Sequence, residues 1–250
     1  MSISGQSGVG RIRLFEDFLG GPDVAVSNTD AIKTSAGHAG PFSVYGSLAE
    51  TDCGITLVAS KASGYGRIAG TDEDGYGLAI GTEVCLSPVL NGQIIVEARV
   101  EMAALTARNI FVGLIDTAAD DIASPVACAT TVITKAHESV GFLFASDLNA
   151  STTWHMPYLL AGTTTQTSTG VASSQVAVAA ESDILRLVVN SDGSAEWWIN
   201  GKLEQTVGAG LAATTTTLMA AIIGTFGTVT TATSVDVDYF LVEANRDWTR

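Results

Sequence analysis

The stretch from Gln93 to Met102 alternates most cleanly in the chain, with Val96, Ala98, Val100 and Met102 on one side of an extended backbone and Glu97, Arg99 and Glu101 on the other. A period of two marks an antiparallel strand with one face buried and one solvated. Helical periodicity is almost absent from the remainder. Short segments rich in β-branched and aromatic residues recur instead between clusters of Gly, Asn, Asp and Ser, the pattern of strands and their turns. Further strands are expected over Asn109 to Ile115, Ser139 to Ala145, His155 to Ala161, Asp183 to Asn190, Ala195 to Ile199, Lys202 to Val207, Leu218 to Gly224 and Ser234 to Val242.

Asp192-Gly193 and Asn200-Gly201 suit two-residue hairpin turns, because Asp or Asn followed by Gly tolerates the positive φ such turns require. With two-residue loops at both, Leu185, Leu187, Val189, Trp198, Leu203 and Val207 share one face, and Arg186, Trp197, Lys202 and Glu204 the other. Trp198 is then core and Trp197 outer. A slip of one residue would exchange them. Ile184, Val188 and Ile199 make the outer face more apolar than open solvent favours, so a neighbour or another segment is expected to cover it.

A chain of 250 residues is long for one domain but ordinary for a β-sandwich. Charged residues make up 15%, against about 25% in an average globular protein, so much of the surface is neutral Ser, Thr, Ala and Gly. The net charge of −14 and a pI near 4.4 oppose affinity for nucleic acid or an anionic membrane. The longest uncharged stretches, Leu148 to Ala180 and Gln205 to Val235, are broken by Thr, Ser and Gly, so no membrane-crossing helix is expected. The N-terminus has neither the basic start nor the apolar core of a signal peptide, and folding inside a cell is expected. Cys53, Cys85 and Cys128 are odd in number and far apart, which predicts buried free thiols and neither disulfides nor a cysteine zinc site.

Residues 1–14 are rich in Gly and Ser, and read as an arm ahead of a domain spanning 15–250. Ile3, Val9, Arg11, Ile12 and Arg13 are its candidate assembly contacts, since such a segment frays unless it lies on something.

Chemistry-bearing patterns are few. Family-16 glycoside hydrolases set three acids along one strand, but after Glu50-Thr51-Asp52 the last place holds Ile55, and after Glu181-Ser182-Asp183 it holds Leu185 or Arg186. Asp236 with Asp238, and Glu97 with Glu101, are same-face acids on strands, about 6.6–6.8 Å apart for neighbours two residues on, near the lower limit for an inverting pair. They read as an alternating solvated face. His38, His137 and His155 are isolated, and Asp72-Glu73-Asp74-Gly75 and Asp120-Asp121 lack the spacing of a calcium loop. Gly208 to Ala213 fits a loose dinucleotide fingerprint, but a hairpin strand precedes it and four Thr follow, the wrong setting for that motif. No catalytic residues, metal or cofactor are expected. Trp154, His155, Tyr158 and Trp197 are candidate glycan or subunit contacts, because aromatic rings both stack on sugars and fill cores and interfaces.

The series Arg13-Leu14-Phe15-Glu16-Asp17-Phe18-Leu19-Gly20, Gln93 to Val100, Phe111-Val112-Gly113-Leu114-Ile115-Asp116, Val140-Gly141-Phe142-Leu143-Phe144, Asp192-Gly193 to Asn200-Gly201, and Val237-Asp238-Tyr239 resembles a group of tailed-phage virion proteins. The order extends from about Arg11 to Arg246. The resemblance implies an all-β, concanavalin A-like jelly-roll β-sandwich of two antiparallel sheets. It also implies a place on the virion, as a capsid-exterior decoration protein or in a fibre, with the phage capsid protein and further copies of the chain as partners. Surface glycans are the alternative partner, and a polysaccharide hydrolase is the least favoured reading. Neutral surfaces pack in a lattice without desolvating charge, a cost of several kcal/mol per buried ion, and the composition fits that role.

Overall fold

In a computed structural model of the chain, the residues described are 10–19, 38–46, 53–59, 61–70, 75–118, 122–128, 132–134, 138–149, 151–160, 171–227 and 233–246. Among them the first strands are β1 (Arg11–Glu16), β2 (His38–Ala39), β3 (Phe42–Gly46), β4 (Gly54–Leu57), β5 (Gly66–Ala69) and β6 (Gly77–Gly81). A four-residue helix, α1 (Pro88–Asn91), precedes β7 (Ile94–Glu101), β8 (Asn109–Ile115), β9 (Val126–Cys128), β10 (Val132–Thr134), β11 (Ser139–Ala145), β12 (Thr153–Met156) and β13 (Tyr158–Leu159). The chain continues through β14 (Val171–Val176), β15 (Ser182–Val189), β16 (Ala195–Ile199), β17 (Lys202–Val207), β18 (Ala220–Phe226) and β19 (Ser234–Asn245). No described helix is long and apolar enough to cross a membrane.

Two large antiparallel sheets face each other. The first runs β17-β16-β15-β7-β19-β5-β4, with β1 also on β19; the second runs β14-β12-β11-β8-β18-β6-β3-β2, with β13 on β11. The alternation over Ile94–Glu101 appears in full, every other residue being buried. Val96, Ala98, Val100, Leu185, Leu187, Phe240 and Val242 meet Val112, Leu114, Phe142, Phe144 and Ile223 in the core between the sheets.

In the second sheet β8, β11 and β18 are buried at every position. Their outward side chains, among them Phe111, Leu143, Ile115 and Ile222, form a second apolar cluster with Ile122, Val126 and Leu148. Gly141 permits this close packing, since a Cβ there would lie 2.4 Å from the Val112 carbonyl and 2.8 Å from the Phe111 ring.

The Asp192-Gly193 turn differs from expectation, and the difference relocates both tryptophans. Gly193 (φ +77) donates its N–H to the Asn190 carbonyl at 3.0 Å, and Asn190 donates to the Ser194 carbonyl at 2.9 Å. The loop is therefore Ser191-Asp192-Gly193, three residues with the glycine in the left-handed position. One extra loop residue changes the parity of the following strand, so Leu187 faces Trp197 and Leu185 faces Ile199. Trp197 is completely buried, donating Nε1–H to the Gly141 carbonyl of the opposite sheet at 2.8 Å. Trp198 lies half-buried outside, opposite Leu203, which is 43% exposed. Asn200-Gly201 does form a two-residue turn, with φ of +51 and +79 and Ile199 opposite Lys202. A register shift between Trp197 and Trp198 then returns Val207 to the inner side, opposite Ala195.

The boundary expected after residue 14 falls inside β1. Arg11, Ile12 and Arg13 pair with Asn245, Ala244 and Glu243 and belong to the domain's own sheet, while Ile3 and Val9 lie outside the described residues. Cys53 is buried but Cys85 is exposed, contrary to the expectation for all three thiols; the side chain of Cys128 lies outside the description. His137, Glu50 to Asp52, Asp72 to Asp74, and Asp120-Asp121 also lie outside it.

Candidate binding face

Among the described residues, the outer face of the first sheet collects all the ion pairs but Lys202–Glu204. Across the strands, Ser182, Glu101, Asp236 and Arg67 form one row, Ile184, Arg99 and Tyr239 the next, and Trp198, Arg186, Glu97, Leu241 and Phe15 the third. A fourth holds Glu196, Val188, Ile95, Glu243 and Arg13. The β7 and β19 registers shift between Val237 and Tyr239, leaving Asp238 as an extra residue. This bulge turns two consecutive side chains, Asp238 and Tyr239, onto one face and resets the alternation so that Phe240 returns to the core.

Each carboxylate here is pinned. Asp236 accepts from Arg67 Nε at 2.7 Å and from its Nη2 at 3.0 Å, and Lys61 Nζ lies 3.1 Å from Asp236 and also meets Glu101. Burial pushes the Asp236 carboxyl up, but Arg67 and Lys61 outweigh it and hold the group below the ordinary carboxylate range. Burial likewise opposes the Lys61 charge, and its two carboxylates outweigh that and raise it; the ammonium also lies 4.4 Å from the Tyr65 ring centroid. Asp238 takes Arg99 Nη1 at 2.8 Å. Glu97 takes Arg186 Nη1 at 3.0 Å and the Tyr239 hydroxyl at 2.8 Å. Burial, and then the Glu97 hydrogen bond, push that phenol well above its usual range.

The guanidiniums lie outermost. The side chains of Arg67, Arg99 and Arg186 are 42%, 42% and 44% exposed, against 4%, 12% and 17% for Asp236, Asp238 and Glu97. The acids are thus not the solvated face expected from alternation, because arginines from β5, β7 and β15 lie over them. Phe15 stacks on Tyr239 at 5.9 Å between ring centroids, and Trp198 Nε1 donates to Glu196 at 3.1 Å, so three aromatic side chains sit among the ions. Near Gln93 and Ile95, a half-open depression of about 360 Å³ is lined by Arg11, Arg13, Glu243 and Asn245.

Six of the chain's 12 cations (Arg11, Arg13, Lys61, Arg67, Arg99, Arg186) and six of its 26 acids (Glu97, Glu101, Glu196, Asp236, Asp238, Glu243) belong to this face. It is neutral, and the whole −14 is carried by the rest of the chain.

The aromatic candidates fall elsewhere. Trp154 and Trp197 are fully buried: Trp154 packs edge-on against Phe144 and donates Nε1–H to Asp183 at 2.9 Å. Tyr158 tilts against Trp197 at 6.1 Å, and His155 is buried opposite Leu143 on the second sheet. Neither buried indole offers a ring to a ligand, and the outer position assigned to Trp197 belongs to Trp198. Glu204, expected on the outer face, stands instead on the seam between β14 and β17. It accepts from Ser174 N–H at 2.6 Å, from Gln175 and from Lys202. Burial raises this carboxyl, but those donors outweigh it and push it down to about 2. Among the described residues no group of three metal-ligating side chains occurs.

No protein-family model matches the chain, and no curated protein does. Solved structures do. A protein of unknown function from Shewanella oneidensis MR-1 superposes with a TM-score of 0.60 at 14% identity, over 100% of this chain and 92% of that one. Peanut lectin follows at 0.52 and 10%, over 94% and 97%. A carbohydrate esterase of the Shiga toxin-encoding bacteriophage phi24B gives 0.50 and 13%, over 89% and 99%. The fold is the concanavalin A-like jelly-roll sandwich.

Proposed function

We propose that this chain is a carbohydrate-binding module that holds a glycan on the outer face of its first sheet and performs no chemistry on it. The observation that carries the reading is the setting of Tyr239, Phe15 and Trp198 among rows of fixed ions, on a face left polar while the other sheet's outer face is closed. Rings that stack on sugars, with polar groups held in place beside them, are the parts such a site needs. The lectin among the structural neighbours supports it. Catalysis by Asp236 and Asp238 is disfavoured, because a general acid must keep a proton near neutral pH, whereas Asp236 is held ionised with both oxygens engaged. A glycan array with the full chain tests the reading: binding is expected, and Tyr239→Ala and Trp198→Ala are expected to lose it. Silence across a broad array, or binding that ignores both substitutions, would overturn it.

A second reading, a phage virion component on the capsid exterior, draws support from the sparse charge and the sequence resemblance. It is compatible with the first, since a displayed module can hold glycan. Attachment to particles that depends on residues 1–9, with β1 left intact, is its expected signature; undiminished attachment after their deletion would remove those residues from the role.

A further inference from the structure

We infer that the glycan this face takes is acidic, bearing carboxylate or sulfate groups along its chain; this rests on the binding reading above. The argument turns on which polar atoms remain open. Both oxygens of Asp236 are taken by Arg67 and Lys61, and both of Glu97 by Arg186 and Tyr239. Glu101 meets Lys61 and Ser182, and Asp238, under Arg99, is buried. Only in the fourth row do Glu196 and Glu243 each keep one oxygen without a partner among the described residues; in the three rows of this face that carry Arg67, Arg99 and Arg186 the acceptors are largely spent and covered.

Its donors are not. A guanidinium carries five N–H groups in a rigid fork, and Arg99 and Arg186 each commit only Nη1 among the described residues. Nε and Nη2 of both stay available on side chains that are nearly half exposed. The buried acid beneath each arginine orients the fork without exhausting it. A neutral sugar presents hydroxyls that donate as well as accept, and half of that capacity would go unmet here. A carboxylate or sulfate only accepts, and its paired oxygens match the fork.

Spacing and field agree. Arg67 on β5, Arg99 on β7 and Arg186 on β15 each sit one row further along, which places successive arginines roughly 8–12 Å apart from strand spacing and rise. Arg67 gives Nε and Nη2 to Asp236 and keeps Nη1, so a ligand that meets all three carries its anionic groups along a chain and meets a single nitrogen at that end. The face is also neutral in a molecule of net charge −14, so here a polyanion's approach is least opposed.

The test is titration of the full chain with polygalacturonate, chondroitin sulfate and neutral dextran, at salt from about 0.05 M to about 0.3 M. An acidic polymer is expected to bind at least roughly tenfold tighter than dextran, less tightly as salt rises. Arg99→Gln and Arg186→Gln each leave a largely buried carboxylate without its cation and so lower the melting temperature. Each is expected to lose most of that binding at temperatures where circular dichroism shows the fold intact. Dextran binding as tight as the acidic polymers, insensitive to salt yet lost in Tyr239→Ala, would overturn the acidic preference and leave the binding reading standing. Acidic binding that ignores both arginine substitutions would also overturn the inference. Binding of no polymer and of no arrayed glycan would remove both.

Discussion

The two sheets share an inner core but treat their outer faces in opposite ways. On the second sheet, Phe111, Leu143, Ile115 and Ile222 point away from the core into another apolar layer, so β8, β11 and β18 are buried on both sides. On the first, β7 buries one side only, and the other carries ions and rings. The difference shows in the residues themselves. Gln93 to Met102 alternates, whereas Ile110-Phe111-Val112 and Phe142-Leu143-Phe144 are continuous apolar runs, the form a strand takes when both its faces are covered. The proposed site follows the same division, since an open side must be solvated or bound.

The sharpest way to break this contrast is to truncate one side chain on each outer face. Phe111→Ala is expected to cost about 3–5 kcal/mol, as in a true core, and Ile184→Ala, 37% exposed, under about 1 kcal/mol. Equal urea midpoints would mean that the second layer is not a core. Next comes Asp236→Ala, expected to cost about 2–3 kcal/mol, less than a fully buried pair because Arg67 stays half in water. The sign of its pH dependence is fixed by the lowered carboxyl: its contribution is present above the ordinary value of 3.8 and is lost as pH falls through the lower folded value. Asp236→Asn is expected to flatten the acid limb of a stability profile.

Two smaller effects sharpen the contrast at its boundaries. Gly193→Ala must hold φ at +77 and place a Cβ 2.4 Å from the Ala213 carbonyl, whereas Gly201→Ala, at φ +79, meets nothing within 4 Å. Gly201→Ala is expected to cost about 1 kcal/mol in backbone strain and Gly193→Ala clearly more, read from paired thermal melts. The Gly193 loop decides which tryptophan is core and which joins the ion face. Glu204, on the seam between the sheets, is expected to contribute nearly nothing to pH dependence above about pH 5, its stabilisation fading from its ordinary 4.5 toward about 2. Glu204→Gln should remove that acid-range loss, as followed by urea titration at successive pH values.

Most of the fold was legible because strands announce themselves locally. Asn109–Ile115, Ser139–Ala145, Ala195–Ile199 and Lys202–Val207 form over the spans expected of them. What escaped depends on parity or on distance along the chain. Asp192-Gly193 reads as a two-residue turn and is the end of a three-residue one, and that single residue exchanges Trp197 with Trp198. Asp236 and Asp238 read as solvated because the arginines that cover them, Arg67 and Arg99, stand 169 and 139 residues away. The face itself had one early sign: Ile184 and Val188 made it too apolar for bare solvent, and the half-buried rings of Phe15 and Tyr239 share it.

The pairing of β1 with β19 also has a mechanical meaning. Arg246 donates its N–H to the Gly10 carbonyl at 3.1 Å, so the two strands are closed at the corner where the chain enters and leaves the described fold. Tension applied between those points would peel β1 away one hydrogen bond at a time instead of loading all the bonds together. Such a body yields easily when pulled as a link in a series, but it stands firm as a platform tethered from a single corner, with the ion-bearing face free of the line of force.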